Sequence, residues 1–287
     1  MLNRDFVEAI VSGVKKILPE MEVECQEILK NNDIVLHGVM IRKLNESVYP
    51  TIYIEDYLEK GNGVDEIARN IVSTYESVTK DKYEFGDITG LINNFDEVKQ
   101  LLRIRLINKE NNAKLFQNIP YMPFLDMAII TVIQLNHTSD GVATIKVTND
   151  LLRLWNTDLS SVLSIANKNT FATPYSYTSM AEALGLPEYM MDSLPIKMYV
   201  LTNATTCHGA TEICNYKTME EIADKLQSDL IVLPSSIHEV IIVPKDDNMD
   251  INELTNMVQA INGSEVAADE VLSDHAYVFN RDNGWER

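Results

Sequence analysis

Basic residues are scarce in this chain, with 24 lysines and arginines against 43 aspartates and glutamates and a formal charge of −19. That balance repels nucleic-acid phosphates and anionic lipid surfaces, so direct nucleic-acid binding is not expected. The charge either solubilises the chain or presents an acidic surface that imitates a phosphate backbone. Cysteine is also sparse. Cys25, Cys207 and Cys214 are odd in number and lack tight metal-type spacing, which fits free thiols in a reducing cytoplasm better than a disulfide framework. Long apolar runs are missing: the most apolar stretch, 122–135, contains Asp126 and is too short to span a bilayer. The amphipathic N-terminal segment lacks the apolar core of a signal peptide. These absences predict a cytoplasmic protein with no membrane partner.

Phosphate-cradling loops are absent as well. Gly61-Asn62-Gly63 lacks the further glycine of a dinucleotide fingerprint, and nothing matches the P-loop pattern, so no cofactor is expected. No pair of residues sits at C-x-x-C or H-x-x-x-H spacing, so no metal is expected either.

What is present is a globular composition: 45% of 287 residues are hydrophobic and 23% charged, enough to bury a real core. Apolar spacing predicts a helix from residue 5 to 18 and a second helical stretch over 23–29. A hairpin follows, with strands at 34–41 and 51–54 around a polar turn at 43–47, and then a helix over 64–78. The same order recurs. Strands at 125–135 and 142–147 flank a turn at 137–141 and precede helices at 150–155 and 159–166, with Thr157 or Asp158 placed to cap the latter. A third unit has strands at 198–201 and 210–214, then a helix over 219–226 whose Thr218 and Glu221 form a capping box. In the fourth, strands 230–233 and 240–243 flank a turn of Pro234, Ser235 and Ser236, and a helix over 251–261 starts at Asp250 and Glu253. Residues 277–280 add a last strand.

The expected fold is therefore α+β, built from repeated β-hairpin-plus-helix units that form antiparallel sheets covered by helices. Two lobes are expected. Residues 1–172 hold the opening helices and two units, and residues 173–287 hold a crossover segment, 170–195, and two more.

Chemistry could sit in three places. Ser235, Ser236, His238 and Glu239 put hydroxyls, an imidazole and a carboxylate into one turn, and nucleophilic catalysis needs a hydroxyl, a base and a group that orients the base. Turns also use Ser and Pro for backbone reasons alone, which is the simpler account of this segment. His208 and His238 lie near the starts of returning strands in adjacent units and could share a sheet edge, with Cys207 joining them. Cys207 and Cys214, seven apart, would face opposite sides of a regular strand, so isolated residues are favoured over a metal site. Asp274 and His275 read as a strand-entry turn in which a carboxylate could raise the imidazole pKa. Tyr175 and Tyr177 suit a recognition surface or the rim of a core.

Five stretches, Val35–Arg42, Pro50–Asp56, Met198–Asn203, Leu233–Ile241 and Glu270–Asp274, resemble a bacterial family known only as a domain of unknown function. The resemblance spans nearly the whole chain and implies a bacterial cytoplasmic setting. It brings no catalytic residues. The functional expectation is a non-catalytic binding or regulatory protein with an unknown protein or small-molecule partner. The alternatives are a hydrolase using Ser235 or Ser236 with His238 and Glu239, and an acidic inhibitor that mimics nucleic acid.

Overall fold

A computed structural model describes residues 2–43, 49–58, 62–80, 88–138, 141–187, 189 and 196–286. Most of the expected turn at 43–47, Gly61, the middle of the turn at 137–141 and the end of the 170–195 segment lie outside the described residues. The fold is α+β, with antiparallel sheets packed against helices. Contacts divide the chain into two units, one of residues 1–30 and 34–88, the other of residues 31–33 and 89–287.

In the first unit, helix α1 (Arg4–Ile17) is capped by Asn3 and buries Ile10 and Val14, one turn apart. Strand β1 (Glu22–Leu29) follows in place of the expected second helix. It pairs residue for residue with β2 (Val35–Arg42), from Glu22 opposite Arg42 to Leu29 opposite Val35. The helix-forming glutamates and leucine of this segment yield to a full ladder that satisfies the backbone while Val23 faces the core. Strand β3 (Thr51–Tyr53) adds to β2. Helix α2 (Val64–Lys80) completes the core through Ile67 and Ile71, which pack with Ile10, Val14, Val39 and Ile41.

The second unit opens with short helices α3 (Ile88–Asn93) and α4 (Phe95–Val98), then strand β4 (Leu102–Asn108). Strands β5 (Tyr121–Phe124), β6 (Met127–Thr138) and β7 (Gly141–Lys146) all belong to its sheet, in which β4 and β5 flank β6 and β7 also pairs with β6. Helices α5 (Asn149–Leu154) and α6 (Leu159–Thr170) come next, and Asp158 caps α6 by accepting the Ser161 N–H. Strand β8 (Tyr175–Ser179), helix α7 (Met180–Ala183), strand β9 (Tyr199–Asn203), helix α8 (Tyr216–Leu226), strands β10 (Leu230–Leu233) and β11 (Val240–Pro244), helix α9 (Ile251–Ser264), and strands β12 (Tyr277–Asn280) and β13 (Gly284–Trp285) complete the chain. They contribute a six-stranded antiparallel sheet in the order β13-β12-β10-β11-β9-β8. Among the described residues no helix is long and apolar enough to cross a membrane.

Two details differ from expectation. Residues 209–214 form a buried 3-10 helix rather than a strand. The reason is topological: β9 is already paired with β8 on one edge and β11 on the other, so no edge is left for a hairpin partner. Helix α8 begins at Tyr216, so Thr218 lies inside its first turn, buried, instead of capping it. Val162 and Leu163 of α6, Leu201 of β9 and Ile222 of α8 belong to one hydrophobic cluster.

Candidate functional site

The loop between β9 and the 3-10 helix is short and tightly held. Asn203 Oδ1 accepts from the backbone N–H groups of Thr205 at 3.0 Å and Cys207 at 3.3 Å, while its Nδ2 donates to the Cys207 carbonyl at 2.8 Å. Cys207 is thus gripped on both sides of its peptide. Thr206 and His208 adopt left-handed backbone, with φ of 51° and 54°. Non-glycine residues persist in that region only where their surroundings hold them, and such positions cluster at functional sites. Gly209 permits the packing: a Cβ there would run into Thr202 Oγ1, Asn203 N and the His238 carbonyl.

The β10–β11 connection supplies the facing wall. Ser236 Oγ accepts the His238 backbone N–H at 3.0 Å, a local bond that fixes the turn. Thr202 Oγ1 donates to the His238 carbonyl at 2.8 Å, tying the turn to β9. Ile237 N–H donates to the Glu270 carbonyl at 2.9 Å, which brings a residue from beyond α9 beside the turn.

These ties converge on the His238 ring. Its Nδ1 accepts the His208 backbone N–H at 3.3 Å, and its Nε2 lies 3.2 Å from Glu270 Oε1. In the neutral ring the proton therefore sits on Nε2 and points at the carboxylate. Cys207 directly precedes His208, whose N–H docks on that ring. The Cys207 side chain is the largest influence raising the His238 pKa, opposed by partial burial and aided by Glu270. Cysteine, imidazole and carboxylate thus gather around one ring, a set of groups that can take up and return a thiol proton once the His208 N–H gives way at Nδ1.

A buried cation lies within electrostatic range of Cys207. Arg105, on β4, is 5% exposed; its Nη2 donates to Gln134 Oε1 at 3.0 Å, and its Nε is buried without a hydrogen-bond partner. Burial pushes the guanidinium down to about 10, while Cys207 pulls it back upward. The 3-10 helix is pinned beside β4 by Thr211 Oγ1, which accepts the Leu106 N–H at 3.2 Å. The His208 ring stands 5.5 Å from that of His238, centroid to centroid, and its Nδ1 is also buried and unpartnered. Burial first, then Arg105, His238 and Lys146, push His208 down to about 3, so its ring is neutral.

Of the residues singled out in the sequence, His238, His208 and Cys207 come together. Ser236 and Glu239 are near, but the Ser236 hydroxyl is occupied by backbone, and burial raises the Glu239 pKa. Glu270 and Arg105 escape sequence reasoning. The signal for Arg105 is the alternation of Leu102, Arg103, Ile104, Arg105 and Leu106, which reads as a strand with charge on one face. Glu270 lies 32 residues from His238, and no local pattern announces it. His275 pairs with Asp126 at 2.9 Å rather than with its neighbour Asp274, in a cluster that includes Tyr277 and Ser273. Among the described residues no three His, Cys, Asp or Glu side chains converge as metal ligands.

Residues 3–281 match the Family of unknown function (DUF5688). The chain belongs to this family. No curated protein and no solved structure matches it. Family membership covers both β9 and the β10–β11 turn, so Cys207, His238 and Glu270 all lie within the matched region.

Proposed function

We propose that this chain is a cysteine-dependent acyl-transfer enzyme, in its plainest form a hydrolase of an ester, thioester or amide. One observation carries the reading: the 207–208 backbone docks on the His238 ring through the His208 N–H, and Glu270 holds the ring by its other nitrogen, which sets the Cys207 side chain beside an oriented imidazole. In the forward step the His208 N–H swings away from Nδ1 of His238, and the Cys207 proton passes to that nitrogen while Sγ bonds to the acyl carbon. The carbon–leaving-group bond breaks, and the leaving group departs with the proton that His238 returns. Water then gives a proton to His238 and attacks the thioester carbon. The acid leaves, and Cys207 recovers its proton. Glu270 keeps the ring oriented and offsets the imidazolium charge. Three free thiols support a reducing, cytoplasmic setting, with a small molecule or a protein segment as the acyl donor.

Alkylation by iodoacetamide, read cysteine by cysteine in the intact protein by mass spectrometry, tests this reading. Cys207 is expected to react about tenfold faster than glutathione at neutral pH, and the His238→Gln variant is expected to lose that advantage. A Cys207 no faster than glutathione and indifferent to His238 would return the chain to the non-catalytic binding reading.

A further inference from the structure

Arg105 is unusual for what it lacks. In a chain with 43 acidic residues, this buried guanidinium hydrogen-bonds a neutral amide, Gln134, and leaves Nε unpartnered. Burying a cation without a counter-ion costs several kcal/mol, so such an arrangement persists only where something else requires it. Arginine remains charged even when its pKa falls, and in a low-dielectric interior its field reaches neighbouring groups with little screening. The 3-10 helix that follows Cys207 is held on β4 one residue from Arg105, where the Leu106 N–H donates to Thr211 Oγ1 at 3.2 Å, and Cys207 lies within electrostatic range of the guanidinium. On the same face of the sheet β4 also presents Arg103, and Lys146 lies within electrostatic range of the adjacent His208. A strongly acidic protein thus places positive charge within electrostatic range of the loop that docks on the His238 imidazole.

We propose that Arg105 is a specificity-determining residue that gives Cys207 a preference for substrates carrying a negative charge, such as a carboxylate, next to the reacting carbon. The inference rests on the reading of Cys207 as the nucleophile. Arg105 Nε and His208 Nδ1 are both buried without hydrogen-bond partners, so the polarity there is uncompensated, and the neutral His208 ring does not compete for the anion. The overall charge works in the opposite direction. A preference for anionic reagents at Cys207 therefore has to come from a local field rather than from the surface as a whole.

Iodoacetate and iodoacetamide form nearly the same S–C bond and expel the same iodide, and they differ in charge. The full-length protein is treated with each, and the rate at Cys207 is read by mass spectrometry beside the rate for the same cysteine in the denatured chain. The expected result is an iodoacetate-to-iodoacetamide ratio at Cys207 about tenfold higher in the folded protein than in the denatured chain. Arg105→Met, which preserves volume without charge, should abolish that excess. Arg105→Lys, which preserves charge, should keep most of it. A folded-to-denatured ratio near one in the wild-type protein overturns the proposal without any variant having to fold. If iodoacetamide reacts rapidly at Cys207 but shows no such charge preference, this inference fails and the nucleophile reading stands. A Cys207 slow with both reagents sinks the nucleophile reading itself.

Discussion

The backbone N–H of His208 points at Nδ1 of His238, 3.3 Å away, and that bond decides which ring nitrogen carries the proton. A ring whose Nδ1 is occupied by a donor can offer its other N–H to Glu270, as it does at 3.2 Å. Protonating the ring fully would set two N–H groups against each other at Nδ1. Cys207 and Glu270 pull the other way, and the balance is a raised His238 pKa.

From this follows an ordered effect on titration. Cys207→Ala should lower the His238 midpoint in an NMR titration of the ring protons, and Glu270→Gln should lower it by less, because Cys207 is the larger influence. The sign for stability is fixed by linkage. A histidine whose folded pKa is raised contributes stability fully below its unfolded value, about 6.5, and loses it as the pH climbs through the folded value. The two variants should therefore lose stability relative to wild type at pH 5 and match it at pH 8. The loss should be under about 1 kcal/mol, because both ring and carboxylate are partly exposed. Equal urea midpoint shifts at both pH values would contradict this.

Gly209→Ala should destabilise the fold by roughly 1–3 kcal/mol. The cost comes from close approach rather than from backbone conformation. A methyl group at this position meets a hydroxyl and two backbone atoms, none of which is the free end of a flexible side chain. Urea unfolding measures it, and a neutral result would mean that the loop opens without penalty.

Asn203 should matter in graded fashion. Asn203→Asp keeps the acceptor for the Thr205 and Cys207 N–H groups and loses the donor to the Cys207 carbonyl, whereas Asn203→Ala loses both. The alanine variant should cost about 1–2 kcal/mol and the aspartate variant less. Hydrogen exchange at the Cys207 amide provides the local readout: faster in alanine, near wild type in aspartate.

How much of this is legible in sequence depends on which interactions are local. The hairpin of β10 and β11 can be read directly, because Leu230 to Leu233 and Val240 to Val243 are continuous apolar runs around a Pro-Ser turn. The segment 210–214 carries the residues of a strand, yet strand propensity cannot act when both edges of β9 are occupied. Strand β1 reads as a helix for the converse reason: its glutamates favour helix, and only pairing with β2 decides otherwise. The site follows the same rule. His238 is visible because its turn is local, and Cys207 and His208 because they sit in a loop. Glu270 joins through one backbone bond from Ile237, and Arg105 through the docking of a 3-10 helix on β4; both depend on contacts formed only in the folded chain.

Glu212 gives the clearest dependence of stability on pH. It lies in the 3-10 helix, 3% exposed, and burial pushes its carboxyl up to about 7 from an ordinary 4.5. The folded protein then holds a proton that the unfolded chain has already released, so stability falls as the pH rises between those two values and levels off above the higher one. The decline should amount to roughly 2–4 kcal/mol, since each tenfold difference in proton affinity between the folded and unfolded chain is worth about 1.4 kcal/mol. Glu212→Gln replaces the acid with a neutral group of the same shape. It should match wild type near pH 4, overtake it through neutrality, and keep the full difference at pH 8. Urea unfolding at those three pH values decides the matter: a variant whose stability declines as steeply as wild type would show that the ionisation responsible lies elsewhere.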